Sequence, residues 1–525
     1  MADSEDQFGS SPEEILEDQP LSKEAQGDVR TLAKGGGLQI AGQLSQRGFS
    51  FVFVAVAVRF LGTAGFGIYR KATQILTDLS QLGLGGFNLA SMRFIARARA
   101  RGDHGAVRGA MRVALWGTAI GSAIVFTGIE LFAHQIAQVF ADKDVAFVTF
   151  LLRVGAAYVP LFATVQVLRY CTQAYKTMVP SVMVGNIIQP AARFVIGVGV
   201  LIAGFGITGA LVSLEIAAGI AAIAGAFYLS RMLTPDERSA PIKRETGPMV
   251  RFSLLQMAAS LLGIQTLGLG ILILSAFSTN RQVGLFAIAL ALQGPGNVFL
   301  GGIINIWAPV VTDLYERNEI ARLQSLYQTV NRWVATFSFP IFVALIVTPE
   351  LFVHVFAGSA GKGAAEVVTL LALGNAFYVG TGPTGYMLSM TGRPGVNAIN
   401  SAISVVAYIG LGFLVTKNHG AVGMAIVDSA VTAVINLARV AEAWIIIGVQ
   451  PYGRRFLKPV AGSAAVGVVL AIGRFAFGTT VPIQVASLAV GLAVYVLVLR
   501  ALGLDQEERH VLDRIKRRAL RRGKS

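Results

Sequence analysis

The chain has 525 residues, 54% of them hydrophobic and only 14% charged, with a mean hydropathy of +0.63 and a formal net charge of +15. A water-soluble domain carries about 25% charged residues, so this composition excludes a string of soluble domains and predicts an all-α integral membrane protein. The single cysteine, Cys171, excludes an intramolecular disulfide and thiolate metal clusters. The basic residues are spread over short loops between apolar runs, which excludes a nucleic-acid-binding face.

Residues 1–37 are polar, and acidic early on (Asp3, Glu5, Asp6, Glu13, Glu14, Glu17, Asp18). They lack the basic start and apolar core of a cleaved signal peptide and are expected to form a disordered cytoplasmic tail. Apolar runs of about 20 residues, enough to cross the hydrocarbon, then recur along the chain. They predict about fourteen transmembrane helices: 38–60, 72–90, 109–129, 147–168, 182–202, 207–229, 252–275, 284–310, 327–348, 366–389, 398–415, 421–447, 460–473 and 483–499. With the N-terminus inside, 30 of the 44 lysines and arginines fall in cytoplasmic segments and 7 in external loops. The positive-inside rule therefore places both termini in the cytoplasm and the protein in the cytoplasmic membrane. The external loops are all short, which argues against a membrane glycosyltransferase or polymerase with an external catalytic domain.

Four short motifs recur in order at nearly constant spacing. Glu130-Leu131-Phe132-Ala133-His134 returns as Glu350-Leu351-Phe352-Val353-His354, and Gly67-Ile68-Tyr69 as Gly284-Leu285-Phe286. Leu151-Leu152-Arg153-Val154-Gly155 returns as Leu370-Leu371-Ala372-Leu373-Gly374, and Gly206-Ile207-Thr208-Gly209 as Gly420-Ala421-Val422-Gly423. The spacing covers six spans, an even number, so the copies run in the same direction and predict two pseudo-symmetric six-helix lobes. The expected organisation is an N-terminal lobe at 38–230, a cytoplasmic linker at 231–251, a C-terminal lobe at 252–448, two additional helices at 449–503 and a basic tail at 504–525. The tail (Arg509, Arg514, Lys516 to Arg518, Arg521, Arg522, Lys524) is suited to anionic membrane lipids.

Two lobes about an axis enclose a cavity, and charges inside the spans are candidates to line it. Arg47, Arg153 and Arg193 lie deep and outnumber the deep acids of the same lobe, Asp78 and Glu215. As a group they favour an anionic substrate, because a guanidinium offers fixed, always-charged donors to phosphate oxygens. Taken singly, each is equally an ion-pair partner: Arg47 for Asp78, and Arg153 or Arg193 for Glu215. Asp78, Glu215 and Asp428 are the candidates for such pairs or for ion coupling. Arg59, Arg332, Arg439 and Glu442 are read as snorkelling from helix ends. Gly294-Pro295-Gly296-Asn297 in the eighth span is the candidate hinge. There is no nucleotide-binding loop, no metal cluster and no catalytic triad pattern, so the chain is read as a non-enzyme without cofactor or metal.

Several motifs carry a family resemblance. They are Arg59-Phe60-Leu61-Gly62-Thr63-Ala64-Gly65-Phe66-Gly67-Ile68-Tyr69, Leu82-Gly83, Gln173-Ala174-Tyr175-Lys176 and Gly206-Ile207-Thr208-Gly209-Ala210 in the first half, with Val283-Gly284-Leu285-Phe286, Ala308-Pro309, Thr391-Gly392-Arg393-Pro394 and Gly420-Ala421-Val422-Gly423 in the second. Across roughly residues 35–500 the chain resembles the polysaccharide transporters, or oligosaccharide-lipid flippases, of the multidrug/oligosaccharidyl-lipid/polysaccharide exporter superfamily. The resemblance implies twelve core helices, often with two more, working by alternating access. It implies a cargo of polyisoprenyl (pyro)phosphate-linked oligosaccharide, polysaccharide-assembly enzymes as partners, and Arg47 at the position of an arginine common in the first span. It leaves open whether H+ or Na+ drives transport. The alternative within the superfamily is a multidrug or cation antiporter, which calls for deep acids where this first lobe has more arginines.

Overall fold

The computed structural model describes residues 23–140, 144–175, 177–243, 245–262 and 268–502, and every regular element among them is helical. The acidic stretch 1–22 and the basic tail from residue 503 lie outside the described residues. The first helix begins at Lys23, so residues 23–37 are helical rather than disordered.

Among the described residues, ten stretches are long and apolar enough to cross a membrane. Two of them, Ala41–Ala100 and Gly395–Ile447, each fold back and hold two spans. The helices Thr246–Leu262 with Leu269–Phe277, and Ala365–Thr381 with Thr384–Met390, complete fourteen. Gly62 makes the first reversal, with φ 68° and ψ 173° inside an otherwise helical run. This is a backbone conformation that glycine alone adopts without strain. In a straight helix Phe53 and Tyr69 would stand about 24 Å apart, yet their rings meet at 6.2 Å. Gly420 (φ 53°, ψ −134°) makes the second reversal, and brings the Tyr408 hydroxyl to 2.6 Å from the Asp428 carboxylate. The second span therefore starts at residue 63, not 72, and runs to Ala100 with a break at Gly85 and Gly86.

The spans meet at two ends. One carries Gly62, Asp144, Asn280 and Gly420, and is called here the Gly62 end. The other carries Asp103, Glu237 and Arg317, the Glu237 end. Among the described residues, the most extensive hydrophobic cluster between the lobes lies in the half nearest the Gly62 end. It packs Phe53, Phe66 and Tyr69 of the first lobe against Phe286, Phe342 and Val431 of the second. Nearer the Glu237 end there are two further cores. One is built on Phe94, Met111 and Leu168 and takes in Met249 and Phe252 at the start of span seven; the other is built on Trp307, Tyr327 and Met387.

The repeat is visible, with one difference. The ELFAH copy lies within an unbroken helix, His104–Phe140. Its counterpart is split into Ile320–Val347 and Pro349–Ala357, because Pro349 stands where the first copy has Ile129 and cannot continue a helix. Spans thirteen (Arg454–Phe477) and fourteen (Val481–Ala501) attach to this second copy. The Tyr495 hydroxyl donates to Thr336 O at 2.6 Å, and Arg474 clasps Glu350 through two 2.8 Å bonds. The linker closes the Glu237 end of the first lobe. Thr234 and Glu237 form a capping box on the helix Pro235–Ser239. The Glu237 carboxylate also accepts from Arg99 Nε at 3.0 Å and from the Tyr175 hydroxyl at 2.9 Å.

Candidate functional site

A cavity of about 550 Å³ lies between the lobes. Spans one and two form one wall, with Arg47, Phe51, Phe66 and Arg70; span eight forms the other, with Leu290 and Pro295. Most of the lining is apolar and the charge comes from two guanidinium groups. Arg47 is exposed to the cavity and reaches across it: a Cβ placed on Gly301 of span eight would lie 2.8 Å from Arg47 Nη2. Gly301, by having no side chain, makes room for that reach. Arg70 was not among the sequence candidates. With the second span read from residue 72 it counted as a loop residue; with the reversal at Gly62 it stands two helical turns inside the span.

The other deep arginines of the first lobe are elsewhere. Arg193 donates to the Tyr69 hydroxyl and its guanidinium lies 4.9 Å from the Phe53 ring centre. It stands behind the first span, in the lobe interior. Arg153 lies on the exposed stripe of span four with Phe150 and Phe147, about one and two turns away. A helix with Leu151 and Leu152 fully buried must turn residue 153 outward. The structure thus brings Arg47 together with Arg70 rather than with Arg153 or Arg193.

The acids are scattered, and none of the pairs expected from sequence forms among the described residues. Asp78 accepts from Gln74 Nε2 at 3.0 Å, leaving Oδ2 buried without a partner. Glu215 accepts from the backbone N–H of Tyr158, where span four is broken between Gly155 and Tyr158. Asp428 pairs with Tyr408 across the Gly420 hairpin, deep in the second lobe. The Gly294–Asn297 segment is a single turn, Pro295–Asn297, of tighter 3-10 helix that interrupts span eight at the cavity wall. Asn297 Nδ2 donates to Asn375 Oδ1 there at 2.7 Å.

Two residues read as snorkelling are not at the surface. Arg332 is 3% exposed. Arg439 donates to Asn436 Oδ1 and Ser401 Oγ, each at 3.4 Å. The sequence signal for Arg439 was a polar stripe at helical spacing, Asn436-Arg439-Glu442, facing Asn397, Asn400 and Ser401 of the preceding span.

Fourteen spans in two repeated lobes around a cavity define a two-lobed membrane transporter. The sequence pattern of the polysaccharide biosynthesis protein family matches residues 32–315, and the chain belongs to that family. It is 23% identical over 513 residues to the stage V sporulation protein B of Bacillus subtilis (strain 168), an alignment covering 91% of this chain and 97% of that protein. Among solved structures, the lipid II flippase MurJ in an inward closed conformation superposes with a TM-score of 0.71 at 13% identity, over 88% of this chain and 97% of that one. An inward-facing multidrug resistance MATE family transporter of the MOP superfamily superposes with a TM-score of 0.64 at 14% identity, over 78% of this chain and 98% of that one.

Proposed function

We propose that the protein flips a polyisoprenyl (pyro)phosphate-linked oligosaccharide across the cytoplasmic membrane by alternating access. The observation that carries this reading is the inter-lobe cavity, an apolar chamber in which Arg47 and Arg70 are the charged groups. An amphiphile with an anionic head fits both features. Two guanidinium groups in a low-dielectric chamber bind phosphate oxygens more strongly than neutral donors do. On the positive-inside rule the Glu237 end faces the cytoplasm and the Gly62 end, where the lobes pack most closely, faces outward. The likeness to a lipid II flippase supports a lipid-linked cargo.

A cation antiporter remains the second reading, favoured by the likeness to a multidrug transporter and by three half-buried acids. Asp78, Glu215 and Asp428 lie within the lobes rather than on the lining of this cavity. We assign them to coupling, by H+ or Na+, rather than to cargo. The two readings separate in vesicles of phosphatidylethanolamine and phosphatidylglycerol. The purified protein should flip a labelled polyisoprenyl pyrophosphate glycolipid and leave an organic cation dye untransported. Arg47→Lys should retain more flipping than Arg47→Ala, because lysine keeps the charge and loses the fork. Full flipping by an Arg47→Ala/Arg70→Ala protein at matched incorporation would sink the phosphate-grip role.

A further inference from the structure

Away from Arg47 and Arg70, a second cavity of about 570 Å³ lies at the Glu237 end, where the ends of spans two and four meet the start of span seven. Its volume falls within the range of small-ligand pockets, about 300–1,000 Å³. Leu89 and Met92 of span two form an apolar wall, Gln173 of span four and Gln256 of span seven add amides, and Arg93 is the one charged residue of the lining. Arg93 is exposed, and its guanidinium lies over the Phe252 ring, 4.5 Å from the centre. Such a contact engages the cation through the ring face and leaves its N–H donors unspent. Among the described residues Arg93 makes no hydrogen bond and no ion pair. Glu245, at the start of span seven, is engaged by Arg97 instead, at 3.6 Å.

The cavity faces the interior between the lobes rather than the lipid. On span two, Leu89, Met92 and Ala96 lie on the side opposite Ala90, Phe94 and Ala98, which pack towards span three. Span three is on the lipid side, with Trp116, Ile120 and Ile124 exposed at helical spacing. On span seven the exposed Leu254 and Leu255 point away from Phe252 and Gln256. The height of the site is equally telling. Arg47 stands fifteen residues before Gly62, and Arg93 thirty-one after it. At the helical rise these positions are about 22 Å and about 46 Å from the Gly62 end, and a bilayer with its headgroups is about 40–45 Å thick. Arg47 is therefore at mid-membrane, and Arg93 at the level of the headgroups on the Glu237 side. We propose that the Arg93 cavity is the landing site of the cargo. It takes the lipid-linked (pyro)phosphate at the height where that leaflet holds it, before Arg47 and Arg70 receive it deeper between the lobes. An unspent guanidinium with no acid in the lining suits phosphate oxygens.

This inference rests on the reading of the cargo as a lipid-linked phosphate, and the test separates the two. A polyisoprenyl pyrophosphate carrying a disaccharide is placed at rising density in vesicles of phosphatidylethanolamine and phosphatidylglycerol, with each protein at matched incorporation. The initial rate of flipping is scored by exposure of the pyrophosphate to an added phosphatase. Arg93→Ala should raise the cargo density for half-maximal rate about tenfold or more, the weight of one charge-assisted hydrogen bond, and leave the maximal rate unchanged. Arg47→Ala should lower the maximal rate. Phe252→Leu keeps the charge and loses the ring, so its half-maximal density should rise less than that of Arg93→Ala. An unchanged half-maximal density in Arg93→Ala overturns the landing site. So does a fall in maximal rate shared equally by Arg93→Ala and Phe252→Leu, which would mark their contact as packing alone. Replacing phosphatidylglycerol by phosphatidylcholine should leave the half-maximal density of the wild type where it is. A drop there, absent from Arg93→Ala, would give the cavity to bulk anionic lipid and overturn the proposal. If the wild-type protein moves no cargo at any density, the cargo reading fails and the landing site falls with it.

Discussion

Gly67 and Gly284 are reciprocal partners across the lobe interface. A Cβ on Gly67 would collide with the backbone carbonyl of Asn280, and a Cβ on Gly284 with the backbone carbonyl of Thr63. Thr63 precedes Gly67 by four residues, and Asn280 precedes Gly284 by four. The two contacts are therefore one contact seen from both sides of the pseudo-two-fold axis, made by the same motif in its two copies. Small residues allow this backbone approach, which seals the Gly62 end together with a hydrogen bond from the Thr63 hydroxyl to Ala360 O.

Any side chain at either glycine should force the seal apart. Gly67→Ala and Gly284→Ala are each expected to destabilise the closed form by about 1–3 kcal/mol, the usual penalty of overpacking. Because the contact is reciprocal, the two variants should behave alike. A cysteine introduced at Phe51 should label faster from the Gly62 side in both, with buried Cys171 contributing little background. Unchanged labelling would show that the seal is held elsewhere.

A polar latch backs the seal. Lys71 is fully buried and donates to Asn280 Oδ1 at 2.7 Å, while Asn280 Nδ2 donates to Asp144 Oδ2 at 2.9 Å. One amide of the second lobe thus joins two charged residues of the first. Asn280→Ala should cost about 1–3 kcal/mol, because Lys71 and Asp144 each lose a bond to this amide. Thermal unfolding of the variant in detergent measures the loss.

The linker clamp should respond to acid. Burial pushes the Glu237 carboxyl up, but bonds from Thr234 N–H, the Tyr175 hydroxyl and Arg99, with the charge of Arg99, outweigh it and hold the group below its ordinary value. A depressed carboxyl stabilises the fold above its unfolded pKa, about 4.3, and loses that contribution as pH falls further, through the folded value. Amide exchange over residues 234–243 should therefore stay slow from neutral pH to about 4.5 and quicken below it. Glu237→Gln should remove the dependence. Release already at pH 6 would contradict this assignment.

Spans thirteen and fourteen should loosen when Arg474 is changed. Its two-pronged contact with Glu350 is partly exposed, so Arg474→Ala is expected to cost only about 1 kcal/mol. Arg474→Lys should restore little, because one ammonium cannot match both carboxylate oxygens. Limited proteolysis in the 448–457 connection reports the effect.

The spans were legible because lipid imposes a local rule: about 20 apolar residues for each crossing. What hydropathy could not see was polar sequence buried by the partner lobe. Thr63 to Lys71 looks like a loop, yet it is the start of span two, covered by span eight. The reversal at Gly420 uses a single residue, so hydropathy alone marks it weakly. Arg47 and Arg153 are alike in sequence, each an arginine well inside a predicted span. Only the lobe interface turns one to the cavity and the other outward. Arg70 is passed over, and Arg439 read as snorkelling, for the same reason, since their depth depends on contacts far away in the chain.

The cluster shared by both lobes bears on how the protein is made. The first lobe leaves the ribosome while its partner is still unsynthesised, so Phe53, Phe66 and Tyr69 wait without their second-lobe neighbours. In a bilayer that wait is mild for apolar faces, since lipid tails substitute for them. The bond from Lys71 to Asn280 Oδ1 also waits for the second lobe. Insertion of span eight is therefore the step that completes the packing of the first lobe.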